Sequence, residues 1–224
     1  MRSKKQKDEV FGIIGLGRFG TALMQALSAN GKEILVIDSS QEKINAAAEY
    51  TSNAYCMQSF DKNNLESVGI QNCDTVIVCI GECFEISVLT TLTVLRLGVK
   101  RVISKAVSEE QGCVLRTIGA EVVFAERDMA FSLANRLAFP NIVEYISLHD
   151  NIDIMEIELS GKVDGKTVLE LDIRKRFGLN IIMLSSGGAA TTEISPSTVL
   201  HKGDTISVIG KHVDVKKFES YMDD

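Results

Sequence analysis

Apolar residues in this chain fall into short, nearly unbroken runs separated by longer stretches with helical spacing. The runs are Val10–Ile14, Ile34–Ile37, Tyr55–Met57, Thr75–Ile80, Arg101–Ser104 and Val122–Phe124. An amphipathic stretch follows the first run, and others lie around Gln41–Tyr50, Asp61–Val68, Phe84–Leu97 and Glu109–Ile118. Strand-length apolar runs alternating with helical patterns predict βαβ units and a parallel sheet. Asp74-Thr-Val-Ile-Val-Cys-Ile80 is almost wholly apolar, as a central strand covered on both faces must be. Six such strands predict an α/β domain with a Rossmann-like, doubly wound parallel sheet.

The pattern changes after residue 126. Asp128–Ala138 reads as a helix stopped by Phe139-Pro140, with Met129, Phe131, Leu133, Ala134 and Leu137 forming a broad apolar face. That face suits either packing on its own domain or a crossover, dimerising helix. The domain boundary is expected at Pro140-Asn141, giving domains over residues 10–140 and 141–224 behind a short disordered tail over residues 1–9. Further on, Ile154–Leu159 alternates as a half-buried strand and residues 165–171 suggest a short helix. Asn180–Leu184 and Thr205–Ile209 read as strands, residues 185–190 as a turn or hairpin, and Val213–Tyr221 as a final helix. This second domain is a small α+β module of regulatory rather than catalytic size.

The first run enters Gly15-Leu16-Gly17-Arg18-Phe19-Gly20, and the second ends at Asp38. Strand, glycine loop, helix, strand and acid in this order are what a mononucleotide-binding crevice requires. Gly15 allows the tight turn, Gly17 lets the backbone approach a phosphate, and Gly20 lets the helix lie close to the sheet. The helix N-terminus offers free N–H groups and partial positive charge to a pyrophosphate. Asp38 can accept from both ribose hydroxyls and would repel a 2′-phosphate, which argues against NADP. Arg18 reads either as a solvated first-turn side chain or as a cation for a terminal phosphate, the latter favouring ATP or ADP over a nicotinamide dinucleotide. Lys105 and Glu126 follow the fifth and sixth strands, where open α/β sheets place ligands. Each reads either as a ligand group or as half of a surface ion pair, and Glu126 as a carboxylate for Mg²⁺ or Ca²⁺ bridging phosphates.

A net charge of −6 argues against nucleic acid as a partner. The length of 224 residues accommodates one large and one small domain. No apolar run is long enough to span a bilayer, and the basic start has no apolar core of the kind a secretory signal carries. Five cysteines without a C-x-x-C suggest reduced thiols in a cytoplasmic protein. Cys56 and Cys79 read as small hydrophobes within strands, and a redox pair of Cys79 with Cys83 is the lesser reading. His149, His201 and His212 all lie in the second module, and no Tyr-x-x-x-Lys, phosphate-loop or zinc pattern is present. The chain is therefore expected not to be an enzyme, with an NAD-dependent oxidoreductase as the rival from another class.

Several segments together resemble a known family: Ile14-Gly-Leu-Gly-Arg-Phe-Gly20 with Val36-Ile-Asp38, residues 75–81, Leu89-Thr-Thr-Leu92, and Ile118-Gly-Ala120 followed by Glu126-Arg-Asp-Met129. Residues 171–178 and 201–210 extend the likeness through the second domain. The chain resembles the RCK-type (regulator of potassium conductance) cytosolic gating subunits of bacterial Ktr potassium uptake systems. The resemblance implies homodimers assembled into an octameric ring beneath an integral-membrane potassium-translocating partner, at the inner face of the cell membrane. It implies ATP or ADP in the first domain, with Arg18 at the γ-phosphate, Asp38 at the ribose and Glu126 beside a cation. Phe19, Ser39, Ser59, Phe60 and Ile80 complete the nucleotide set. Phe60 departs from the small or hydroxyl residue common there, so it either stacks on adenine or narrows the pocket. The second domain resembles a module that binds cyclic di-AMP at a dimer interface, through Asp172, Ile173, Arg174, Asn180, Ile181 and Pro196. An NAD(H)-sensing RCK protein of the Trk type has the same fold with a different ligand.

Overall fold

The computed structural model describes residues 9–81, 83–138, 142–149 and 152–223. The chain forms two compact units, 1–128 and 129–224. The expected boundary at Pro140-Asn141 and nearly all of the expected tail lie outside the described residues.

In the first unit, β1 (Val10–Ile14), β2 (Glu33–Asp38), β3 (Asn53–Cys56), β4 (Thr75–Val78), β5 (Arg101–Lys105) and β6 (Glu121–Val123) form one sheet. The order is β3-β2-β1-β4-β5-β6 and every pairing is parallel. Parallel neighbours need crossovers, supplied by α1 (Arg18–Ala29), α2 (Gln41–Ala47), α3 (Lys62–Ser67), α4 (Phe84–Arg96) and α5 (Glu109–Thr117); α6 (Ala125–Ala138) follows β6. The two-residue side-chain period of a strand sorts the core. Ile14, Leu35, Ile37, Val76 and Val78 join one buried cluster, while Ile13, Ile34, Val36 and Ile77 join another.

The predicted strands are present, with shifted ends. Helix α2 stops at Ala47, short of Tyr50, because the Tyr50 and Thr51 N–H groups both return to the Ala47 carbonyl, at 2.9 and 3.2 Å. Thr51 Oγ1 then accepts from Asn53 N–H at 3.1 Å and starts β3 two residues early. Cys56, expected to be a buried small hydrophobe, is exposed at the end of β3, while Cys79 is buried.

The second unit contains β7 (Ile142–His149), β8 (Ile152–Glu158), β9 (Lys166–Thr167), α7 (Val168–Leu171), α8 (Ile173–Phe177), β10 (Asn180–Ser186), β11 (Ala189–Thr191), β12 (Val199–Leu200), β13 (Thr205–Lys211) and α9 (His212–Asp223). Its main sheet runs β11-β10-β13-β8-β7, all antiparallel, with β12 and β9 paired separately. Thr167 and Glu170 form a capping box at α7. Phe218 of α9 is fully buried in a core with Met155, Ile157, Leu171, Leu179 and Val208, edge-to-face with Phe177 at 5.1 Å. Phe218→Ala is expected to destabilise this unit by about 3–5 kcal/mol, measured as the loss in a denaturant titration of the purified protein.

Candidate functional site

The strand order reverses between β1 and β4, where an open α/β sheet offers a crevice at its C-terminal edge. A cavity of about 560 Å³ lies there, and residues after all six strands contribute to its wall. Gly15, Gly17 and Arg18 follow β1, Ser39 and Lys43 follow β2, and Phe60 follows β3. Ile80, Gly81, Cys83 and Ile86 follow β4, Lys105 ends β5 with Val107 just beyond it, and Glu126 lies in the first turn of α6.

The three loop glycines have different geometry. Gly15 sits at φ +98°, a region that side chains rarely adopt. A Cβ on Gly20 would lie 2.0 Å from the Gly15 carbonyl oxygen, so α1 could not approach the loop. A Cβ on Gly17 would meet nothing within 4 Å, and Gly17 lines the cavity.

Asp38 is 5% exposed and its carboxylate holds the loop together. Its Oδ2 accepts from Leu16 N–H at 2.6 Å, its Oδ1 accepts from Ser40 N–H at 2.8 Å, and Lys43 Nζ lies 3.6 Å from Oδ2. On the opposite wall Lys105 Nζ donates to Glu126 Oε1 at 2.5 Å. That hydrogen bond holds the Glu126 carboxyl below its ordinary value of 4.5 against a small opposing effect of burial. Lys105 and Glu126 are thus an ion pair and cavity lining at once. Among the described residues no group of three or more His, Cys, Asp or Glu side chains is placed to hold a metal ion. Burial pushes the Cys79 thiol up to about 12, with Lys105 acting in the opposite sense, which disfavours the thiolate that redox chemistry uses.

The structure brings Gly15, Gly17, Arg18, Asp38, Ser39, Phe60, Ile80, Lys105 and Glu126 together around this cavity. Phe19, Gly20 and Ser59 are not in its lining. Phe19 packs on the core, Gly20 is buried against the loop, and the Ser59 hydroxyl donates to Asp61 at 2.9 Å beside a neighbouring cavity of about 400 Å³. Phe60 and Ile86 line both cavities. Lys43, Gly81, Ile86 and Val107 also line the cavity without carrying a motif; a lysine in the first helical turn after the acid that ends β2 was the available signal for Lys43.

In the second unit, an open depression of about 330 Å³ is lined by all six residues singled out there: Asp172, Ile173, Arg174, Asn180, Ile181 and Pro196. Asp172 joins α7 to α8 at φ +43°, a left-handed conformation that aspartate tolerates better than most residues.

Residues 11–126 match the TrkA-N domain model and residues 154–223 the TrkA-C domain model. Ktr system potassium uptake protein C of Bacillus subtilis (strain 168) is 37% identical over 210 residues, spanning 93% of this chain and 95% of that protein. The chain belongs to the Ktr potassium uptake protein family. A second member, Ktr system potassium uptake protein A of the same organism, is 34% identical over 96% of this chain and 97% of its own length. The GsuK channel bound to NAD shares the fold of this Ktr-family chain, at a TM-score of 0.64 and 21% identity. It is covered over 40% of its length by 98% of the present chain. No helix among the described residues is long and apolar enough to cross a membrane.

Gly17→Ala is expected to leave the melting temperature within about 2 °C of wild type while weakening any ligand of the cavity. Gly20→Ala is expected to lower it by about 4–8 °C or more. Thermal unfolding with a parallel ligand titration separates the two. The Lys105–Glu126 pair has a lowered carboxyl pKa in the fold, so its stabilisation is present above the ordinary glutamate value and is lost as pH falls through the lowered one. Glu126 is largely exposed, so the contribution is about 0.5 kcal/mol or less. The stability difference between wild type and Glu126→Gln should stay flat from about pH 7 to pH 5 and vanish in acid, as read by unfolding titrations across that range.

Proposed function

We propose that this protein is the non-enzymatic, nucleotide-responsive regulatory subunit of a potassium transporter, with ATP and ADP exchanging in the first unit. The observation that carries this reading is the charge layout of the cavity. Arg18 next to Gly17 and Lys105 on the facing wall, paired with Glu126, present two cations to the cavity, while Asp38 stands at the end of β2 where a ribose would be held. ATP and ADP differ in the terminal phosphate, so a cation that meets it gives the differential affinity a switch requires. Phe60 and Ile86 supply an apolar surface on which a base can stack. Glu126 is the residue that would hold Mg²⁺ or Ca²⁺; it offers a single carboxylate, so the nucleotide phosphates would supply further oxygen ligands.

In this reading the protein forms homodimers within an octameric ring and acts on an integral-membrane potassium-translocating partner, which keeps it at the inner face of the cell membrane. Cyclic di-AMP is the effector of the second unit. Arg174 suits a phosphate, the Asn180 amide a base edge, and Ile173, Ile181 and Pro196 an apolar floor. A two-fold-symmetric ligand suits a site made from two copies of this surface. NAD(H) is the rival occupant of the first cavity, because the glycine loop and Asp38 serve either ligand.

Calorimetric titration with ATP, ADP, NADH and cyclic di-AMP tests the reading in both units. ATP is expected to bind more tightly than NADH, and Arg18→Ala to weaken ATP about tenfold or more while changing ADP about twofold or less. Arg174→Ala should abolish cyclic di-AMP binding and leave ATP binding intact. NADH binding that ignores Arg18→Ala, with no response to ATP, would return the first unit to a redox sensor.

A further inference from the structure

The elements that carry two of the cavity's walls are tied by buried polar side chains as well as by the apolar cluster that Val88 of α4 joins with Ala106 and with Leu115 of α5. Gln111 of α5 is 2% exposed, and both ends of its amide are used. Its Oε1 accepts from Val107 N–H at 3.0 Å, and its Nε2 donates to Ser87 Oγ at 3.2 Å. Val107 lines the cavity two residues after Lys105. Ser87 is fully buried on α4, and its own N–H donates to the carbonyl of Cys83, another lining residue, at 3.0 Å. A continuous path of bonds therefore runs from one wall, through Val107, Gln111 and Ser87, to Cys83 on the other.

The local chemistry explains why glutamine stands there. Ser108 caps α5 and accepts from the Gln111 N–H at 3.2 Å. Gln111 returns a bond to the chain just before the cap, a variant of the capping box that reaches Val107 instead of the cap residue itself. A glutamate would serve as that acceptor, but it would bury a charge and has no N–H for Ser87. A second tie runs parallel to the first: Thr91 of α4 and Ser104 of β5, both fully buried, share a hydrogen bond of 3.0 Å immediately before Lys105. Hydrogen bonds have narrow distance and angle ranges, so these ties fix the spacing of the walls more tightly than interchangeable apolar contacts would.

We propose that Gln111 is a positioning residue for the nucleotide cavity, setting the turn of Lys105 and Val107 against the β4–α4 wall so that the Lys105 ammonium is presented to a phosphate chain. This inference rests on the assignment of ATP to the cavity, and it gives affinity a determinant that does not touch the ligand. Gln111→Met keeps the length of the side chain and removes both hydrogen bonds. ATP affinity is measured for Gln111→Met in the wild-type and Lys105→Met backgrounds, with Ser87→Ala as a milder variant that cuts the Nε2 bond alone.

With Lys105 present, Gln111→Met is expected to weaken ATP about tenfold; with Lys105 already replaced, about twofold or less. Ser87→Ala should follow the same pattern with a smaller effect and decides the question if Gln111→Met does not fold. Equal losses in both backgrounds would overturn the inference by showing a purely structural effect, and so would unchanged ATP affinity. Failure of the wild-type protein to bind ATP would instead overturn the ligand assignment.

Discussion

Asp38 accepts the Leu16 N–H at 2.6 Å from inside the first unit, and the shape of the cavity depends on that bond. A glycine loop has little side-chain bulk to hold it and a large entropy to lose on ordering. Here a buried carboxylate at the end of β2 gathers the loop and the Ser40 N–H that opens α2. The residue proposed for a ribose is thus also the staple of the pocket. Replacing it would disturb the loop and any such contact together, so the proposed role is inseparable from the structural one by simple truncation.

The first unit was readable because its strands are covered on both faces. Parallel strands of this kind appear as apolar runs, and helical spacing between them leaves one consistent topology. Errors fell at element ends, as at Ala47 and Asn53, where backbone hydrogen bonds of Tyr50 and Thr51 decide the turn. The second unit was less legible. Strands of two residues, such as β9 and β12, and a five-residue helix rich in arginine and lysine, α8, have no periodic signal and depend on tertiary context.

The candidate site was legible where chemistry has a motif and opaque where it depends on packing. Gly15, Gly17, Arg18 and Asp38 announce themselves by spacing. Ser87, Thr91, Ser104 and Gln111 do not, because polar residues on helices and strands read as solvated until their partners are known. Ser59, placed in the nucleotide set by resemblance alone, donates its hydroxyl to Asp61 and lines the neighbouring cavity.

The described cavity lining carries three cationic side chains, Arg18, Lys43 and Lys105, and two carboxylates, Asp38 and Glu126. Two of the cations already face a carboxylate, so the pocket is close to electrically balanced before any nucleotide arrives. Long-range attraction for a polyanion is correspondingly weak, and salt in the surrounding solution has little field to screen. On the proposed reading, discrimination among phosphates then rests on close-range exchange of partners within the pocket. On the same reading, the residence time of a bound nucleotide, more than its arrival rate, would set how quickly the protein changes state.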